Sequence, residues 1–251
     1  MPYDVHAHLA CLSKEETYAA FSSPSSPSFL IASAHSFGDY EASLEALKGR
    51  PESGVSAGVH PMAADADSPE CISFLEALPD ILKGCVALGE AGYDIHPSNR
   101  PMEEQRFFFR KQLEYAKRLS LPVIIHCRNA FEAVFEDIRE LKPDLPLILH
   151  GYSGGFKYLN DALRLGCHIS FGLPLSWPES SKLRRIAAML PAERILTESD
   201  SPFCFSYRGG GRSLPNMVAS VEAAVAEARG ISADEADELI AGNVRRIFGI
   251  H

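Results

Sequence analysis

The chain has 251 residues, 46% apolar and 23% charged, a composition that allows one sizeable core and is ordinary for a soluble globular protein. A net charge of −9 gives no electrostatic reason to expect tight non-specific nucleic-acid binding, which needs a strongly basic face, although cations held in a cleft would still admit a polyanionic substrate. Six cysteines without a C-x-x-C pair, a start at Met1-Pro2-Tyr3-Asp4, and no apolar run near the ~18 residues of a membrane span predict a cytoplasmic protein with reduced thiols, no signal peptide, no membrane association and no obligate protein partner.

The first predicted strand starts at Tyr3 (YDVHAHL). Alternation puts His6 and His8 on one face, with Val5 and Ala7 turned towards helices. Two imidazoles on one strand can hold a cation, but an isolated H-x-H is as readily a pair of structural histidines. A Ser/Pro-rich patch over 22–28 reads as a polar loop, and the second strand starts at Phe29 (FLIASAH), the third at Val55 (VSAGVH). The fourth starts at Cys85 (CVALGE), where Val86, Leu88 and Glu90 alternate onto one face. A carboxylate buried behind two apolar side chains is costly unless it is coordinated or paired, an arginine salt bridge being the plainer explanation. A helix is predicted from Pro101 to Ser120, with Phe109, Leu113 and Ala116 at i, i+4 and i+7.

The fifth and sixth strands, starting at Pro122 (PVIIHC) and Pro146 (PLILHG), finish in His126 and His150; the seventh starts at Cys167 (CHISFG). The eighth starts at Arg194 (RILTESD), with Glu198 and Asp200 on one face and Asp200 ending the strand. An acidic cap on the turn at Ser201-Pro202 is the alternative for Asp200. Two helices follow, one opened by Ser213 and Pro215, the other by a capping box at Ser232-Ala233-Asp234-Glu235.

Eight strands alternating with helices predict an α/β fold, a single (β/α)8 TIM barrel with C-terminal helices occupying residues 1–251 as one domain. A doubly wound open sheet has the same periodicity. In a barrel the chemistry gathers at the C-terminal ends of the strands, where four histidines and two carboxylates fall. The set suits two divalent cations: His6, His8 and Asp200 with one, His126 and His150 with the other, and Glu90 bridging. Nitrogen and oxygen donors together fit zinc, manganese or iron and do not exclude magnesium.

In these motifs the chain resembles the TatD-like family of metal-dependent deoxyribonucleases. The resemblance runs through DVHAHL, GVHP, GEAGYD, VIIHCR, HGYSGG and TESDSPF to GNVRRIFG, in order and almost end to end. It implies a TIM barrel, a divalent-metal site and hydrolysis of DNA phosphodiesters, and by motif it carries over the same six ligands. It further implies a phosphate-orienting or protonating role for His60, with a core histidine as the alternative, and a supporting or proton-transfer role for Glu198; Arg128, just past His126, is placed to neutralise a phosphate, with a surface salt bridge as the alternative. The chain departs from the family at Gly151-Tyr152, where Cys-Phe is common, and over Gly209–Pro215, where Arg-Asn-Glu-Pro is common; the glycines there predict a mobile loop at the mouth.

The expected chemistry is attack by a metal-activated water, oriented by Asp200 acting as general base. DNA is the expected substrate, without sequence-specific reading, since no basic groove studded with aromatic residues is present. Hydrolysis of a small amide, lactone or phosphoester on the same site is the second reading, and a metal-stabilised scaffold without turnover the third. A phosphoesterase barrel of the polymerase-associated type also opens with D-x-H-x-H, but needs ligands for a third metal, and no spare His/Asp cluster stands out.

Overall fold

In a computed structural model, which describes residues 2–50, 52–204 and 211–250, eight parallel strands are ordered β1 to β8 around the sheet. They are β1 (Tyr3–Ala7), β2 (Phe29–Ala34), β3 (Gly54–Ala57), β4 (Ala87–Asp94), β5 (Val123–Arg128), β6 (Leu147–Leu149), β7 (His168–Phe171) and β8 (Ile195–Thr197). Helices α1 (Lys14–Ser22), α2 (Phe37–Ala46), α3 (Pro69–Ile81), α4 (Met102–Leu119), α5 (Phe131–Leu141), α6 (Gly155–Arg164) and α7 (Ser181–Met189) separate them. Two more, α8 (Val218–Arg229) and α9 (Ala233–Phe248), follow β8. This is the TIM barrel of the expectation, and the open sheet is excluded by how its ends meet. Asp200 N–H donates to His6 O at 3.0 Å and His8 N–H to Ser201 O at 2.7 Å, joining β1 to the segment just after β8.

The interior is apolar below the mouth. Val5, Ile31, Ala87, Ile124, Ile148 and Leu196 come from six strands and form one cluster, which is possible only inside a closed sheet. Val5 was expected to face a helix. The β1–β2 register slips between Asp4 and Ala7, so one extra residue lets Val5 and then His6 both reach the interior, while Ala7 packs outward with Leu30, Ala32 and Leu47.

Local signals account for the helix ends. Ser232 and Glu235 form the expected capping box of α9. Helix α4 ends on Ser120 in the left-handed region, with Pro101 as its N-cap rather than a first-turn residue. Pro215 opens a short 3₁₀ turn capped by Leu214, not by the buried Ser213. Of the predicted glycine-rich loop, Gly209 and Gly210 lie outside the described residues. Its far end is anchored: Arg212 bonds the Glu16 carboxylate at 2.6 and 2.9 Å, on the first turn of α1. All six cysteines are free thiols, and among the described residues no helix is long and apolar enough to cross a membrane.

Candidate metal centre

The centre is organised around one carboxylate. Glu90 sits on β4, 2% exposed, between two glycines that the packing requires. Gly92 has φ +150°, and a Cβ there would lie 2.0 Å from His126 O; Gly89 has φ +129°, and a Cβ there would lie 2.4 Å from Ile124 O. Only glycine lets β4 come this close to β5 beside Glu90. The expected alternation of Val86, Leu88 and Glu90 is interrupted, because the β4–β5 register shifts between Leu88 and Ala91.

Glu90 presents its two oxygens to different groups. Oε2 faces His6 Nε2 at 3.3 Å, His8 Nε2 at 3.7 Å and His35 Nε2 at 3.5 Å. Oε1 faces His126 Nδ1 at 2.5 Å, His150 Nε2 at 2.7 Å and His60 Nε2 at 3.4 Å. Asp200 Oδ1 completes the first group, 3.4 Å from His8 and 3.8 Å from His6. Asp200 does not end β8: the strand stops at Thr197, and Asp200 reaches the centre through a left-handed turn at φ +49°. The six ligand-type residues expected from the sequence therefore meet in one place, with His60 and Glu198 beside them.

The neighbours of each ring decide which nitrogen carries the proton. His126 Nε2 lies 3.1 Å from Asp94 Oδ2, and His150 Nδ1 lies 3.2 Å from Glu198 Oε1, so each ring donates to a carboxylate and turns its other nitrogen towards Glu90. Glu198 Oε1 also accepts from Gly151 N–H at 2.6 Å. Asp94 also accepts from Arg128 Nε at 2.7 Å, which ties Arg128 to the same support. His60 is arranged the other way. Its Nδ1 accepts from Met62 N–H at 3.1 Å, so its Nε2 carries the proton and donates towards Glu90.

Burial alone would raise Glu90, but the charges of His150, His60, His6 and His126 hold it well below the usual carboxylate range. His150 and His126 are pulled down by burial, yet the carboxylates of Glu90, Glu198 and Asp94 more than reverse this, His150 most strongly. Burial is the largest influence on His6 and His60 and lowers both. Burial alone would raise Asp200, but its contact with His8 and the charges of His8, His150 and His6 together hold it low.

The donor set fits divalent cations. Ligand atoms ~2.1 Å from a shared ion stand roughly 3.0–3.4 Å apart at right-angled or tetrahedral positions. His6 Nε2 and His8 Nε2 are 3.2 Å apart, and so are His126 Nδ1 and His150 Nε2. His6, His8 and Asp200 each turn one donor into a common space, as do His6, Glu90 and His150.

Three residues contribute without having been singled out in the sequence. Asp94 supports His126 and Arg128, as above. Asp4 Oδ1 accepts from Ser199 N–H at 2.9 Å and His6 N–H at 3.2 Å, locking the seam that presents His6. His35 follows β2 directly and bonds Gly58 O through Nδ1 at 3.2 Å. A cavity of about 410 Å³ opens beside the centre, lined by His126, Arg128, Tyr152, Phe171, Glu198 and Asp200 among others.

The model for TatD-related DNases matches residues 3–249. The chain belongs to that family. Within it, the chain is 30% identical over 196 residues to an uncharacterized metal-dependent hydrolase of Bacillus subtilis, YabD, covering 77% of this chain and 76% of that one. It is 34% identical over 209 residues to the 3′-5′ ssDNA/RNA exonuclease TatD of Erwinia amylovora, covering 78% of each. The crystal structure of the TatD homologue YjjV from Escherichia coli superposes with a TM-score of 0.87 at 26% identity, covering 99% of this chain and 98% of that one. This TatD-related chain is a metal-dependent hydrolase.

Proposed function

We propose that residues 1–251 act as one cytoplasmic nuclease domain that hydrolyses DNA phosphodiester bonds with two divalent cations, of magnesium, manganese or zinc. The observation that carries this reading is Glu90, whose two carboxylate oxygens face two separate groups of donors. His6, His8 and Asp200 are the ligands on one side, His126 and His150 on the other, and Glu90 bridges. Bound there, divalent cations supply an activated water nucleophile and offset charge on phosphate oxygens.

The side chains do the rest. Asp200 is the most open of the carboxylates around Glu90, 29% exposed, and borders the cavity. It orients the attacking water by accepting its hydrogen bond and acts as general base. Glu198 and Asp94 fix the rings of His150 and His126 so that their lone pairs point inward. His60 offers an Nε2–H donor to a non-bridging or leaving oxygen. Arg128, tethered by Asp94 at the cavity wall, offsets phosphate charge. Similarity to the Erwinia 3′-5′ ssDNA/RNA exonuclease makes a single-stranded 3′ end the first substrate to test.

The test is digestion of 3′- and 5′-labelled single- and double-stranded DNA with each metal and with chelator. Metal-dependent shortening of the single strand from its 3′ end supports the proposal. Turnover of small esters or lactones alone, with DNA left intact, contradicts it.

A further inference from the structure

We propose that a cavity of about 420 Å³ beside His35 is a nucleobase pocket, which takes an unpaired base flanking the scissile phosphate and so favours single strands over duplex; the proposal rests on the reading of the chain as a DNA hydrolase. The cavity lies between the first turns of α2 and α3, and His35, Phe37, Val59, Ala63, Cys71 and Phe74 are among its lining residues. His35 forms its inner end. Its Nε2 lies 3.5 Å from Glu90 Oε2, and its ring centroid is 5.2 Å from that of His8 and 5.3 Å from that of His60. One imidazole ring therefore separates the cavity from the metal centre, and a group that fills the cavity can belong to the same substrate molecule as the phosphate.

The lining suits a base and not a phosphate. Among the described residues no lysine or arginine lines it, and Glu70 at its edge repels an anion. The serine and cysteine groups are already engaged. Ser36 Oγ accepts from Asp39 N–H at 3.1 Å and Ser68 Oγ from Cys71 N–H at 3.2 Å, each capping its helix. Ser68 also donates to Glu70 at 3.1 Å, and Cys71 Sγ donates to Ala63 O at 3.1 Å. What these two helices leave on offer is apolar surface. Phe37 is 46% exposed, and its ring meets the buried Phe74 edge-on, with centroids 5.2 Å apart and planes at 84°. An exposed ring held by a buried partner is a stacking platform, and stacking accepts any base.

Stacking here needs a free base. In a duplex each base is paired and stacked on its neighbours and must be swung out at a cost, whereas a single-stranded end presents its bases without one. The two cavities then divide the substrate. The cavity by β5 to β8 carries Arg128 and suits phosphate; the cavity by His35 suits a base. Strand selection comes from access to this slot and not from reading sequence.

The test uses the chain saturated with Mn²⁺ and single-stranded oligonucleotides in which each nucleotide near the cleaved 3′ end is replaced in turn by an abasic tetrahydrofuran unit. Wild type is expected to lose about 10-fold or more in kcat/KM at one position. Phe37→Ala should cut the intact strand as slowly as wild type cuts that abasic one, with no further loss on the abasic strand. Phe37→Leu keeps an apolar contact with Phe74 and should also lose most of the discrimination, so it decides if Phe37→Ala fails to fold by circular dichroism. Equal rates on intact and abasic strands in the wild type overturn the pocket, and so does discrimination that survives in a folded variant. Wild-type chain that cuts no DNA strand overturns the nuclease reading and the pocket with it, whereas metal-dependent cleavage without abasic discrimination removes only the pocket.

Discussion

The two flanks of Glu90 use the same side chain in different ways. On the β5–β6 flank each histidine has a carboxylate behind it, Asp94 for His126 and Glu198 for His150, and both rings hold protons more tightly than usual. On the β1 flank, His6 has no carboxylate behind it: its Nδ1 is buried without a partner, and burial lowers its affinity for protons. The difference matters because a ligand must give up its proton to bind metal. At neutral pH the His6 side offers a ready lone pair, while the His126–His150 side exchanges protons for charge. A carboxylate behind an imidazole also makes it a stronger base and a better-oriented ligand. The first flank is open without proton release; the second is stiffer and more pH-dependent.

This contrast can be broken at its centre or sharpened at either side. The largest effect is expected from Glu90→Gln, which removes the shared charge and is predicted to lower metal-dependent hydrolysis by about 10³-fold or more, with an unchanged circular-dichroism spectrum. Activity near wild type would remove Glu90 from the mechanism. Next comes Gly92→Ala, which forces a methyl group into the His126 backbone at φ +150°. A loss of about 3 kcal/mol in denaturant unfolding is expected, and an unchanged midpoint would contradict the close β4–β5 approach. Glu198→Gln and Asp94→Asn should weaken metal binding about 10- to 100-fold, on the second flank alone. In calorimetry one class of sites should shift while the His6 class stays; a uniform shift would mean that the flanks are not separate.

The smallest effect lies at the barrel seam. Burial pushes Glu222 up to about 7 from an ordinary 4.5, while its carboxylate accepts from Tyr3 N–H at 2.7 Å. The folded chain thus keeps a proton that the unfolded chain loses above 4.5. The stability it contributes is fully present below that value and is lost as pH rises towards about 7. Glu222→Gln should flatten the decline in melting temperature across this window; an identical decline in the variant would show that Glu222 does not cause it.

Much of this was legible in the sequence because the barrel repeats one signal, an apolar run that ends in a polar ligand. VIIH and LILH gave His126 and His150 in this way, and both take their places beside Glu90. FLIASAH also ends an apolar run in a histidine, His35, which lies 3.5 Å from Glu90, but no second motif residue in the sequence marks it. Asp94 was also readable, lying four residues after Glu90 on one strand, yet its role depends on His126 and Arg128, which come from another strand. Two features were hidden. Asp200 reaches the centre by a left-handed turn and not by strand alternation, and the slip in β1 that turns Val5 inward exists only in the pairing with β2. Period-two reasoning describes an unbroken strand, and the centre lies where strands are broken or finished.

The most direct test of a carboxylate that divides the centre is a crystal of the manganese-loaded chain, with anomalous scattering recorded at the manganese edge. A peak is expected against each Glu90 oxygen, one among His6, His8 and Asp200, the other between His126 and His150. Manganese on one oxygen alone, with the other flank closed by direct histidine–carboxylate hydrogen bonds at saturating metal, would contradict the account.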